Sequence, residues 1–512
     1  MSQAKDQEIF EVPVKSNEKD EHTVDMERKE SSSENNPDSI DESEKKDDIE
    51  KQQQQQQQPP EQPKEPYCAL PLRRKSLVIA IVTLAGCLGP IAGNIYIPVL
   101  PQLQDEFSTS AATINGTVSV FMVVFAIAPL FWASWADYGG RKMLYLIPLL
   151  FFILANILLA AVPANIAALY ILRILQAFGA SSVVSVGAGT VSDIIEPKNR
   201  AKAISIFMWG PQLGPVLGPV LSIIASKGDW RWIFGFLALF GALVYVIILF
   251  FLPETLRYLV GNSACYEGTP IYVKPQWRQK KIVEGYPIPP KPSLKNYWKI
   301  LKYKPVLICS INGGLLFATF YGVSITFARV LRDQYGFTNA EVSVSYICPG
   351  VSLIIGSTIG GWLSDKLRAR MIRTHPDSYV PEHRFSLQIF GLVISMAGVL
   401  GYAWTVYKHV HVASVFIFTF LGGFGMTWVF VANTTYLTEC STGQPATNVA
   451  IGNFARNISA TICTAIVEPL IEKMGFGWCL TGLALTDLAG IGFVIILLKY
   501  GPKWRREYEQ SK

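Results

Sequence analysis

The chain has 512 residues, of which 50% are hydrophobic and only 16% charged, with a net charge of +6. Soluble domains carry about 25% charged residues, so this balance argues against a soluble globular protein and for a polytopic membrane protein. The excess of Lys and Arg lies at the ends of apolar runs, not in one basic stretch, so no nucleic-acid partner is expected.

Residues 1–70 are rich in Ser, Glu, Asp, Lys and Gln, with an unbroken glutamine run from Gln52 to Gln58 and prolines after it. Such a segment buries too little apolar surface to offset its ordering entropy, and a disordered cytoplasmic tail is expected. Twelve apolar runs then predict membrane helices at 76–100, 112–134, 143–162, 166–190, 202–226, 231–252, 306–328, 342–363, 385–404, 412–436, 447–469 and 477–499. Six precede a polar loop at 256–305 and six follow it. The chain thus divides into an N-terminal bundle over 71–255, the loop, a C-terminal bundle over 306–500 and a short tail over 501–512.

Cations flank these spans unevenly. Arg73, Arg74 and Lys75 precede span 1; Arg141 and Lys142 lie between spans 2 and 3; Lys198, Arg200 and Lys202 between spans 4 and 5; the central loop and 366–373 are basic. The opposite loops carry scattered cations such as Lys227, Arg332, Lys408 and Lys473. Membrane proteins keep Lys and Arg on the cytoplasmic side, so both termini and the central loop are expected there. Asn115-Gly116-Thr117 is a formal glycosylation sequon placed at the start of span 2. The eight cysteines form no CxxC pair, and the five histidines lie outside the spans; neither pattern implies a metal or a cofactor.

Four stretches carry the functional reading. After span 2 comes "ASWADYGGRK", and after span 8 "GGWLSDKLRAR" with Asp365. An acid followed by cations at the same place in each half suggests an internal duplication, with a cavity between the halves. Gly140 permits a tight turn, Asp137 can face a positive helix N-terminus, and Arg141 can pair with Asp193, with Lys142 beside it. The cluster reads as a cytoplasmic gate or as a purely topogenic charge group.

In span 4, "RILQAFGAS" places Arg173 inside a helix with Gln176 one turn away. A guanidinium there must face the bundle. It either biases a nearby carboxylate toward proton release or acts as a hydrogen-bonded clamp. In span 5, "GPQLGPVLGP" repeats Gly210, Gly214 and Gly218 at four-residue steps, with Pro211, Pro215 and Pro219 in the same rhythm. The glycines form a smooth column that another helix can approach closely. Span 6 ends in "LPET" at 252–255.

Read together over about residues 70–500, these motifs resemble the major facilitator superfamily and, within it, the twelve-span drug:proton antiporters of fungi. Ala133 and Trp135 replace the usual glycine and leucine of the loop motif, Ala177 a glycine of the span 4 motif, and Pro219 a glycine of the span 5 motif. The phrases at 93–107 and 114–132 are similar to the quinidine-resistance and dityrosine transporter subgroup. The resemblance implies an all-α fold of two pseudo-symmetric six-helix bundles. It also implies an antiporter helix at Gly210, Gly214, Pro215 and Gly218, and no catalytic chemistry.

Export of small amphipathic or aromatic compounds is then expected: drugs, dityrosine-like metabolites or polyamines, exchanged for protons by a monomer in the plasma membrane. No Walker A sequence is present to use ATP. Nutrient uptake and a non-transporting membrane sensor are the alternatives. Span 1 offers Asn94 and Tyr96 where many relatives have a carboxylate, which leaves Asp487 in span 12 or Glu468 in span 11 as the proton carrier. The substrate cavity is expected to include Asn94, Tyr96, Gln176, Phe320, Tyr321, Asn453 and Arg456. Arg456 either binds an anionic or phenolic substrate or pairs with an acid.

Overall fold

The computed structural model describes residues 66–161, 165–222, 229–266, 269–270, 272–273, 283, 285–286, 288–374, 380–440 and 444–510. The tail with its glutamine run, part of the central loop, Lys227 and the far end of predicted span 5 lie outside the described residues. Every regular element among those described is helical.

Twelve long helices follow the apolar runs. They are α1 (Leu72–Asn94), α2 (Ala111–Gly139), α3 (Met143–Ala161), α4 (Ile166–Ile194), α5 (Arg200–Leu221) and α6 (Arg231–Phe251) in the first half. The second half has α7 (Lys304–Asp333), α8 (Ile347–Thr374), α9 (Pro381–Tyr407), α10 (Val412–Glu439), α11 (Pro445–Met474) and α12 (Phe476–Gln510). Eleven of them are long and apolar enough to cross a membrane. The other is α11, whose 30 residues are diluted by Asn448, Asn453, Arg456 and Asn457; it packs inside, against α7, α2 and α4.

Local chemistry sets the helix starts. The Ser110 hydroxyl caps α2 by accepting from the Thr113 N–H, and the Asn165 side chain caps α4 through Ala167 and Ala168. Several helices run past the apolar slab: α8 continues to Thr374 and α12 to Gln510, well beyond the predicted ends. Hydropathy marks where a helix leaves lipid, not where its hydrogen bonds stop.

Polarity is arranged inside out. Leu239 on α6 is 73% exposed and Ile171 on α4 64%, as suits faces turned to lipid, whereas Arg141 and Arg173 are wholly enclosed. The halves meet where α2 and α4 lie on α11 and where α5 lies on α8. Ala133, at the place where the loop motif usually has glycine, packs on Ala446 and Ala450 of α11. Thr117 of the glycosylation sequon is buried within α2, its hydroxyl bonded to the Tyr96 phenol and the Ile114 carbonyl.

Candidate functional site

One end of the bundle holds two buried charge clusters. In the first, the Arg141 guanidinium donates to Asp137 at 2.6 Å and to Asp193 at 2.9 Å. Burial alone pushes this arginine down, but Asp193 and Asp137 outweigh it and hold it above the ordinary arginine value. Gly140 makes the turn with φ +109°. There the Glu254 carboxylate, from the "LPET" stretch, accepts the backbone N–H groups of Arg141, Lys142, Thr255 and Leu256 at 2.9 to 3.1 Å. Burial pushes the Lys142 ammonium down, against the opposing pull of Glu254. Asp137 also reaches the other half: it accepts from the Thr447 N–H at 2.7 Å, the Thr447 hydroxyl at 2.5 Å and the Ala446 N–H at 3.3 Å. A carboxylate thus caps the positive N-terminus of α11.

The second half repeats the arrangement. Asp365 on α8 accepts the N–H groups of Ala201 and Lys202 at 3.2 and 2.8 Å, which caps α5. Arg384 pairs with Asp365 at 2.9 Å and with Glu439 at 3.1 Å, and donates to the Pro197 carbonyl at 2.7 Å. Arg200 adds a 3.7 Å contact to Glu439. Sequence reasoning did not assign Glu254 to the first cluster, or Arg384 and Arg200 to the second. The run after Asp365 supplies cations, yet its partner comes from the start of α9, nineteen residues on.

The glycine column of α5 lies against α1. A Cβ at Gly210 would strike the Thr83 carbonyl, one at Gly214 would strike Pro90, and one at Gly218 would strike Asn94 and the Ile95 amide. The prolines turn a different face: Pro211, Pro215 and Pro219 line cavities in mid-bundle and beyond. Each proline removes one helical hydrogen bond, and Pro211 also lies beside Gly86 of α1.

A cavity of about 890 Å³ occupies the half of the bundle away from the charge clusters, among the far ends of α1, α5 and α7 and the near end of α8. It shares Asn94, Pro215, Phe320, Tyr321 and Leu353 with a smaller space of about 90 Å³ in mid-bundle. Asn453 and Arg456 line that inner space, with Phe121, Phe125, Phe317 and Phe430. Asn453 donates to the Ser185 hydroxyl at 2.9 Å and so ties α11 to α4 below it.

Two residues expected at the cavity are elsewhere. Gln176 accepts from Arg173 at 2.7 Å and donates to Asn156 at 2.7 Å, and the Tyr96 phenol bonds Thr117 at 2.9 Å. The Arg173 guanidinium lies 4.1 Å from the Tyr96 ring centroid and 4.3 Å from that of Phe121, and donates to the Ala92 carbonyl. A buried cation must collect such partners, and it draws Tyr96 and Gln176 behind the cavity wall.

The two candidate proton carriers also part company. Asp487 is buried between α12 and α7, one oxygen bonded to the Thr319 hydroxyl at 3.0 Å and the other without a hydrogen-bond partner among the described residues. Glu468 has a 53% exposed side chain and pairs with Arg329 at 3.3 Å.

Residues 82–464 match the family model of the Major Facilitator Superfamily. The chain is 44% identical to Dityrosine transporter 1 of Saccharomyces cerevisiae, over 85% of this chain and 81% of that one. It is 40% identical to Multidrug transporter DTR1 of Candida glabrata, over 86% and 87%. The proton:xylose symporter XylE superposes with a TM-score of 0.60 at 14% identity, over 84% of this chain and 96% of that one, a likeness of fold alone. With two helical halves packed around a central cavity and this match over most of its length, the chain belongs to the Major Facilitator Superfamily and is a multi-pass membrane transporter, not an enzyme.

Proposed function

We propose that the chain is a proton-coupled antiporter that exports aromatic organic compounds, dityrosine-like metabolites and drugs among them, by alternating access. The carrying observation is that the halves are tied together at one end by the Asp137 and Asp365 clusters, while a large aromatic-lined cavity lies toward the other. Lys and Arg crowd the tied end, which the positive-inside rule assigns to the cytoplasm together with both termini. The plasma membrane of a fungus is the expected site, and a monomer the working unit. This conformation is then the outward-facing one: the gate residues Asp137, Gly140, Arg141, Lys142, Asp193 and Asp365 close the cytoplasmic entrance. Substrate loading needs both helix caps to be released so that α2 leaves α11 and α8 leaves α5.

Two curated relatives above 40% identity or at it, one named for dityrosine and one for drugs, support an aromatic cargo. Proton coupling is assigned to Asp487, the acid buried in the bundle, and not to the surface-paired Glu468. Proteoliposomes under an imposed pH gradient test it. The intact protein should concentrate dityrosine against its gradient, and Asp487→Asn should retain dityrosine counterflow yet lose the response to pH. Gradient-driven accumulation by Asp487→Asn would remove the residue from the coupling step, and no dityrosine counterflow by the intact protein would refute the cargo.

A further inference from the structure

The described walls of the two connected cavities contain Arg332 and Arg456 and the amides Asn94, Gln102, Gln212, Asn453 and Asn457, but no Asp, Glu or Lys. Arg456 is the deeper cation. Its guanidinium carbon stands 4.8 Å from the Phe430 ring centroid and 5.3 Å from that of Phe317. Its Nε is enclosed without a hydrogen-bond partner, and no described residue makes an ion pair with it. Three wholly enclosed arginines differ from it. Arg141 and Arg384 each hold two carboxylates, and Arg173 has a carbonyl and an amide.

A guanidinium in a low-dielectric wall with no counter-charge is costly. Rings near the guanidinium leave its N–H groups, which lie in its own plane, as the direction for bonding. A planar carboxylate meets that edge with two parallel hydrogen bonds. Phe121, Phe125, Phe320 and Tyr321 border the same space and would contact a flat aromatic body.

We infer that the inner cavity is a carboxylate site, in which Arg456 takes the carboxylate of an aromatic substrate that carries no net positive charge. The inference rests on the export reading above and narrows it. Polyamines and other net-cationic amines fall outside the class, because the described wall offers no carboxylate to balance their charge.

Binding to the full-length protein in detergent, with a matched pair of probes, tests the site. The probes are N,N′-diacetyldityrosine, a dianion, and its neutral bis-carboxamide. The intact protein should prefer the diacid by at least about tenfold, the size of one or two charged hydrogen bonds. In Arg456→Gln the preference should vanish while affinity for the bis-carboxamide is kept, which also reports that the variant is folded. Should that variant not fold, Arg456→Lys keeps the charge without the fork and should weaken the diacid alone, by about tenfold. Spermidine in excess should displace neither probe. Equal affinity of the intact protein for the two probes, a preference retained by Arg456→Gln, undiminished diacid binding by Arg456→Lys, or displacement by spermidine would overturn the carboxylate site and leave export standing. An intact protein that binds neither probe overturns both readings.

Discussion

The clusters around Arg141 and Arg384 occupy equivalent places in the two halves and are built from different parts. In the first, acid and cation sit four residues apart on one turn of chain, and the bond to the other half is made by Asp137 alone. In the second, the cation arrives from the next helix and itself reaches across to the Pro197 carbonyl, while Glu439 also faces Arg200 of the other half. The first cluster is therefore stiff within its own half, through Glu254 and the Gly140 turn. The second is where the two halves are most densely joined. A repeated helix-capping acid is the common device, and the cation's origin is free to vary.

Removing Arg384 should be the most damaging way to break this pattern. Arg384→Ala removes the guanidinium shared by Asp365 and Glu439 and leaves Glu439, among the described residues, only the 3.7 Å contact to Arg200, at a cost of about 3–5 kcal/mol for an opened buried pair. A lower thermal unfolding midpoint than that of any other single variant at this end is expected. A midpoint no lower than that of Asp137→Asn would show that the second cluster is not the stronger joint.

Charge removal from the two capping acids should come next, and equally. Asp137→Asn and Asp365→Asn keep an acceptor oxygen but lose the charge facing a helix N-terminus, worth about 1–2 kcal/mol each. The reading is alkylation of Ala450→Cys, buried between α2 and α11, by a membrane-impermeant maleimide. Each variant should raise its rate about tenfold. The double variant should give the product of the two effects, because the acids share no described partner. An inert Asp365→Asn would show that the duplication is only one of sequence.

Glu254→Gln should have the smallest effect. It retains one acceptor for the turn at Gly140 and weakens the others, for about 1 kcal/mol. A modest drop in unfolding midpoint is expected, with no change in Ala450→Cys labelling, because Glu254 bonds only within its own half. Enhanced labelling would mean that the turn takes part in closing the bundle.

The helices were legible because each apolar run is a membrane-length signal, α11 included, although Asn448, Asn453, Arg456 and Asn457 dilute it. The capping acids were legible because a glycine turn and adjacent cations are local. Arg384 and Glu439 were not paired in advance, since 55 positions separate them and only the packing of α9 on α10 brings them together. The glycine column of α5 announced a close neighbour without saying that it is α1. Tyr96 and Gln176 show a different limit: polarity inside a span signals an interior position, but the demands of Arg173 decide which layer of the interior. Glu468 looked like a membrane acid because the apolar run ends beside it, whereas α11 continues to Met474 and the side chain pairs outward with Arg329.

The cavity wall, with arginines and no described carboxylate, also has an electrical consequence. A potential of 100 mV is worth about 2.3 kcal/mol for each elementary charge that crosses the membrane. An anion leaving a negative cell interior moves with that field, and a proton entering in exchange moves with it as well. For an anionic cargo each cycle therefore carries current, and voltage drives export even when the two compartments have the same pH.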